Sequence, residues 1–222
     1  MVPQTGITLI RHSRKFTAAL IIGIIALERN LVSEKILHLP IVLIIYYVRD
    51  PRGVFNSRQK KEIAIWCRRI PTCYDPEMFC EQVKADIESY CKLKEKYPDR
   101  ITILRYEDIS VNPLENSRKI YSWIGIEKLP NEVEDFIKTH TNASLDKESR
   151  PRGQEKLALA YTTKRNSKET AFAWQKQLPI GLLEELQAHC KDVYQNLNYP
   201  EEWTFSNHDA IFGNEFEPSC RL

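Results

Sequence analysis

The rhythm of apolar and polar positions changes several times along this chain. Residues 40–48 form an unbroken apolar, β-branched run that ends in Arg49-Asp50-Pro51-Arg52-Gly53. Without alternation, such a run predicts a strand buried on both faces, the centre of a parallel sheet covered by helices. Residues 54–70 read as a helix, with Val54, Ile63, Ile65 and Trp66 apolar among Arg58, Lys60, Lys61 and Glu62, and Pro71 stopping it. Pro76 opens a second helix over 77–96, where Phe79, Val83, Ile87 and Tyr90 recur at spacings of three and four and give one apolar face. A second strand is predicted over 100–106, with Ile101 and Ile103 on one face. It runs into Glu107 and Asp108, then Asn112-Pro113 and a helix through Ile120, Trp123 and Ile124 that Gly125 closes. Further helices are predicted over 130–138, 170–177 and 182–197, the last with Leu183, Leu186, Cys190, Val193 and Leu197 inward. Strand, helices, strand, helix predicts an α/β fold. Residues 142–167 are too polar to pack and long enough for a functional loop. Beyond Pro200 no periodicity remains, and the tail reads as loosely ordered.

The first residues follow another pattern. Arg11, His12, Ser13, Arg14 and Lys15 precede an apolar run of twelve residues, 16–27. Basic then apolar is the order of a signal peptide or signal anchor. It is equally the order of a helix buried in the domain, and a miscalled start is a third reading. Twelve residues fall short of the roughly 17–25 that span a bilayer. The organisation expected is an N-terminal segment 1–38, one domain over 39–200 and an irregular tail 201–222, with no internal repeat.

Charge and cysteine content then narrow the chemistry. Across 222 residues, 32 Lys and Arg against 30 Asp and Glu leave a formal net charge of +2, which excludes a polyanion binder acting through bulk charge. Any phosphate chemistry must use a few placed cations. Six cysteines, at 67, 73, 80, 91, 190 and 220, lack the paired short spacings and histidines of a zinc site. Scattered thiols or disulfides both fit, and six cysteines allow fifteen connectivities. Asn142-Ala143-Ser144 is a glycosylation acceptor triplet.

The strand 41–48 delivers Arg49 to a sheet edge where α/β folds bind anions, and the following helix carries Ser57 about two turns on. Arg49 could clamp a phosphate through its planar fork, or simply pair with Asp50. Four blocks stand in order: VRDPRGVFNS over 48–57, LRYEDI over 104–109 with Asn112-Pro113, His140-Thr141, and TKRNSK over 163–168 with Trp174. Together they resemble the sulfotransferases that use 3′-phosphoadenosine 5′-phosphosulfate (PAPS), most closely the Golgi carbohydrate enzymes that modify the 6-hydroxyl of galactose, N-acetylglucosamine or N-acetylgalactosamine. The likeness covers about residues 40–200.

The resemblance implies a parallel-sheet, three-layer sulfotransferase fold of the P-loop NTPase-like kind. It implies PAPS as co-substrate, no metal, a glycan acceptor and no nucleic-acid partner. It also implies a lumenal Golgi setting, with a possible type II membrane anchor and some of the cysteines bridged in that oxidising compartment. By resemblance, Arg49 and Ser57 match the pair on the donor's 3′-phosphate, Tyr106 an aromatic by the adenine with Thr141 nearby, and Arg165, aided by Lys164, the late-loop cation on the same phosphate. Glu107 and Asp108 read as structural carboxylates that cap the next helix or pair with an arginine.

The family also has an earlier strand, a loop of the form Arg-x-Gly-Ser-Ser-Phe and a helix, which hold the 5′-phosphosulfate. Only 48 residues precede Arg49 here. Arg11, Ser13 and Phe16 bear a faint likeness to that loop but lack its glycine. The fold is therefore expected to be incomplete at its N-terminal side, with no catalytic base assigned and His38 the nearest candidate. Two readings follow: a carbohydrate sulfotransferase, or a truncated, inactive paralogue that binds nucleotide or a partner without turnover.

Overall fold

The computed structural model of the chain describes residues 20–24, 42–59, 65, 67–142, 164–201, 212 and 216–220. Three parallel strands form the sheet in the order β1 (Leu20–Ile24), β2 (Val42–Val48), β3 (Ile101–Arg105). Leu20 stands opposite Val42, and Ile44 opposite Ile101. β1 lies inside the apolar run 16–27, so those five residues belong to the sheet rather than to a helix. Ile21, Ile22 and Ile24 are β-branched, which favours that outcome.

On β2, Val42, Ile44, Tyr46 and Val48 are buried, while Leu43, Ile45 and Tyr47 are half-buried. The expectation of equal burial on both faces therefore holds for one face. Strand β3 repeats the pattern, with Ile101, Ile103 and Arg105 buried.

Helix α1 (Pro51–Arg58) follows β2, and the short α2 (Pro71–Tyr74) precedes α3 (Pro76–Lys96). Pro71 thus starts a helical turn where the sequence suggested only a stop. Asp75 caps α3 by accepting from the Met78 N–H at 3.1 Å, Pro76 takes the first position, and Lys94 and Lys96 occupy the last turn. After β3 come α4 (Tyr106–Val111), α5 (Pro113–Trp123) and α6 (Asn131–Thr141). Helix α5 ends in a left-handed Gly125 (φ 84°). The Ile126 N–H donates to the Tyr121 carbonyl at 2.8 Å, and the Gly125 N–H to that of Ser122 at 3.0 Å. The chain closes with α7 (Ser167–Phe172), α8 (Trp174–Gln177), α9 (Ile180–His189) and α10 (Lys191–Asn196).

The core joins β2 and β3 to Ile87 and Tyr90 of α3 and to Leu186, Val193, Tyr194 and Leu197. Burying each such side chain contributes roughly 1.5–3 kcal/mol. Cys190 sits where one predicted helix becomes two, and it bridges to Cys80. The other bridges are Cys67–Cys73 and Cys91–Cys220. The last fastens the tail, whose described residues carry no helix or strand yet are packed against the domain. Phe212 is buried, and the Ser219 N–H donates to the Asn196 carbonyl at 3.1 Å. Among the described residues, no helix is long and apolar enough to cross a membrane.

Candidate functional site

Strand β2 ends at Val48, and the next two residues diverge. Arg49 is half-buried, whereas Asp50 turns inward and is 1% exposed. Asp50 caps α1, its Oδ1 accepting from the Arg52 N–H at 2.8 Å, and its carboxylate also takes the Arg52 guanidinium, with Nη2 to Oδ2 at 2.8 Å. Arg52 is fully buried between the rings of Trp174 (4.6 Å) and Tyr194 (4.4 Å) and donates to the Pro200 carbonyl at 3.0 Å. Asp50 is therefore committed to Arg52, and the alternative in which it neutralises Arg49 does not occur.

Arg49 instead donates from Nη1 to the Ser57 hydroxyl at 3.0 Å, and its guanidinium lies 4.4 Å from the centre of the Tyr106 ring. The Ser57 hydroxyl in turn donates to the Gly53 carbonyl at 3.0 Å. Among the described residues, no carboxylate forms an ion pair with Arg49, and its Nε is buried without a hydrogen-bond partner. A placed cation with an orphaned donor suits an anionic group. Gly53 makes the arrangement fit, because a Cβ there would stand 3.1 Å from Arg49 Nε and 3.4 Å from Trp174 Cδ1. A glycine four residues after the arginine is the sequence signal of that close approach.

Tyr106 is the first residue of α4, not the last of β3, and its ring meets Tyr47 edge-on at 6.2 Å. Behind it the same motif is structural. Arg105 is buried and holds Asp108 through Nε–Oδ2 at 2.7 Å and Nη2–Oδ1 at 3.0 Å, and donates to the Leu197 and Asn198 carbonyls. Phe216 of the tail covers it at 4.2 Å. Glu107 accepts from the Asp50 N–H at 3.2 Å and from the Tyr199 hydroxyl at 2.8 Å. Asp108 thus pairs with an arginine, as the sequence reading expected, whereas Glu107, among the described residues, neither caps a helix nor pairs with an arginine and instead ties the Asp50 backbone to Tyr199.

Thr141 and Arg165 form a second group. The Arg165 N–H donates to the His140 carbonyl at 2.8 Å, and Asn142 pairs with Asn166 in an isolated bridge, so the late segment is tied to the end of α6. The Thr141 hydroxyl donates back to the Ile137 carbonyl at 2.7 Å. Two residues after Arg165, the Ser167 hydroxyl donates to the Ser110 carbonyl of α4 at 2.8 Å. Both groups therefore join α4, the first through Tyr106 at its start and the second through Ser110 near its end. Direct contact is seen within each group: Arg49 with Ser57 and Tyr106, and Arg165 with the end of α6. Arg11, Ser13, Phe16, His38 and Ser144 lie outside the described residues. Among those described, no group of three His, Cys, Asp or Glu is placed to hold a metal ion.

Glu107 is the most perturbed carboxylate of the cluster. Burial, then the nearby Asp50 charge, pushes it from 4.5 up to about 7, while Tyr199 and Arg49 pull it partly back. Between about pH 4.5 and 7 the folded chain keeps a proton that the unfolded chain has released. This contribution to stability is full below the lower value and is lost as pH rises through about 7. Thermal melts from pH 5 to 8 are expected to show native stability falling relative to Glu107→Gln, which keeps the acceptor but does not titrate. Parallel curves would remove Glu107 as the source of the slope.

Residues 31–198 match the family model described as "Sulfotransferase domain". The chain is similar to mouse carbohydrate sulfotransferase 3, with 28% identity over 70% of this chain and 33% of the relative. It is also similar to mouse carbohydrate sulfotransferase 1, with 29% identity over 77% and 41%, and to mouse carbohydrate sulfotransferase 4, with 25% over 70% and 41%. The match thus spans about a third to two fifths of these relatives' length.

Proposed function

We propose that this chain, which belongs to the sulfotransferase domain family, binds 3′-phosphoadenosine 5′-phosphosulfate for transfer of its sulfo group to a sugar hydroxyl, the 6-hydroxyl of galactose, N-acetylglucosamine or N-acetylgalactosamine in a glycan. The observation that carries the reading is the Arg49 guanidinium, held by the Ser57 hydroxyl and the Tyr106 face while a buried Nε keeps an unused hydrogen. In this reading Arg49 and Ser57 hold the 3′-phosphate, and Arg165 reaches it from the late segment. Tyr106 presents its ring to the adenine, with Thr141 beside it. The donor supplies a sulfonate activated by its phosphate leaving group. The residues named here bind and orient that donor, and each charge-assisted hydrogen bond contributes roughly 1.5–3 kcal/mol.

The three-layer sheet of the full fold belongs to the same proposal, with β1–β3 as part of it. A lumenal compartment of the secretory pathway, the Golgi, agrees with the bridging of all six cysteines and with the kinship to carbohydrate sulfotransferases.

Isothermal titration of the chain with 3′,5′-adenosine bisphosphate and with adenosine 5′-monophosphate tests the proposal. Recognition of the 3′-phosphate by two arginines and one hydroxyl is expected to favour the bisphosphate by at least about tenfold. Equal affinities, or no binding of either, would overturn it.

A further inference from the structure

Under the Arg49–Tyr106 pair lies Tyr47, half-buried on β2. Burial alternates along both strands, so Tyr47 and Arg49 leave β2 on one face, and Leu104 and Tyr106 leave the end of β3 on the same one. Tyr47 stands opposite Leu104, and Val48 opposite Arg105. One residue further on, Arg49 and Tyr106 lie side by side, with Tyr47 a step back under the first and diagonal to the second. We propose that Tyr47 is a positioning residue, whose ring sets the tilt of Tyr106 and, through it, the place of the Arg49 guanidinium. This rests on the reading of Arg49 and Tyr106 as nucleotide-binding groups and deepens it by adding the side chain that prepares them.

Geometry is the first argument. The ring centres of Tyr47 and Tyr106 are 6.2 Å apart, and their planes meet at 80°. Aromatic rings prefer such an edge-to-face arrangement, because the positive edge of one meets the negative face of the other. An aliphatic side chain of similar size would fill the space without favouring any angle. On Tyr106, the Arg49 guanidinium lies 4.4 Å from the ring centre, and Arg49 Nη1 continues to the Ser57 hydroxyl at 3.0 Å. Ring, ring, guanidinium and hydroxyl thus form one line of contacts from the sheet to α1.

Stiffness gives that line a direction. Tyr47 belongs to the central strand of the three, and pairing with Leu104 fixes its backbone. Tyr106 is the first residue of α4, whose N-terminus has no side-chain cap. Helix ends fray where strand interiors do not. Orientation therefore passes from Tyr47 to Tyr106 and not the reverse.

Electrostatics agrees with the placement. Burial, then the neighbouring Tyr106 and Glu107, pushes the Tyr47 phenol up, and Arg49 pulls it partly back. The phenol stays protonated at neutral pH, so it adds no negative charge that would compete with a phosphate for Arg49.

Two readouts on the whole chain test the role. The first needs no ligand: the NMR signal of the Arg49 Nε–H, which a ring 4.4 Å from the guanidinium shifts upfield. Tyr47→Leu is expected to move this signal downfield, toward its position in Tyr106→Leu, and Tyr47→Phe, which keeps the ring, to restore it. The second is titration with 3′,5′-adenosine bisphosphate. Tyr47→Leu is expected to lower affinity by about 2- to 12-fold, the range of one aromatic pair, and Tyr47→Phe to recover most of the loss. In a Tyr106→Leu background, Tyr47→Leu is expected to cause no further loss, because its effect passes through Tyr106. A merely structural role would cost the same factor in both backgrounds, and that result overturns the proposal. An Arg49 signal unmoved by Tyr47→Leu overturns it too, whether or not the nucleotide binds. Tyr47→Phe losing as much as Tyr47→Leu also overturns it, because the hydroxyl would then be the acting group. An Arg49 signal that shifts as expected, in a chain that binds no bisphosphate, would keep the positioning role and remove the nucleotide reading.

Discussion

Asp50→Ala is expected to lower folding stability by about 3–5 kcal/mol, because it leaves a buried guanidinium without its carboxylate. Arg52 is fully buried, and Asp50 supplies both its counter-charge and the cap of α1. Stability of natural domains is about 5–15 kcal/mol, so the loss takes a large share. For a domain of this size it amounts to a fall in Tm of roughly 6–20 °C in a thermal melt. The companion variant separates charge from packing. Asp50→Leu with Arg52→Met removes both charges and replaces them with apolar volume, and such exchanges are often nearly neutral. The double variant is therefore expected to melt well above Asp50→Ala. A single variant that melts with the native chain would show that the pair carries no structural weight.

This opposition between neighbours explains what the sequence disclosed. Both strands of the central pair were legible, β2 from an unbroken apolar run and β3 from alternation, because burial writes itself into residue choice at that spacing. The proline-headed α3 was legible for the same reason, as was the glycine stop of α5. The run 16–27 was not, because a short apolar stretch has no period that separates strand from helix, and for residues 20–24 it is pairing with β2 that makes the strand. Disulfide partners were hidden as well. Cys80 meets Cys190 and Cys91 meets Cys220 across separations of 110 and 129 residues, which the fold sets and local sequence does not.

Within the candidate site, residue types were legible and their division of labour was not. VRDPRG carries two arginines flanking one aspartate, and nothing in the string says which pairs. The fold decides, since Asp50 faces inward and the helix that follows returns Arg52 to it. Similarly, the tail appeared loose because it has no period. It is held by Cys220 and by the ring of Phe216 over Arg105, contacts that need no period.

Arg49→Ala should give the reverse of Asp50→Ala: an unchanged fold and a lost ligand. No ion pair is broken among the described residues, and a buried donor without a partner disappears. Tm is accordingly expected not to fall. Under the proposed function, affinity for 3′,5′-adenosine bisphosphate drops by about 10- to 150-fold, the equivalent of one charge-assisted contact worth roughly 1.5–3 kcal/mol. Adenosine 5′-monophosphate, which lacks the 3′-phosphate, is expected to bind both proteins alike. Arg49→Lys restores the charge but neither the fork that reaches Ser57 and a phosphate together nor the flat stack on Tyr106, so it should recover only part of the loss. Equal loss for both nucleotides would assign Arg49 to the adenine or ribose rather than the 3′-phosphate. No loss for either would remove this strand end from nucleotide binding, leaving Ser57 and Tyr106 as packing partners of a structural arginine.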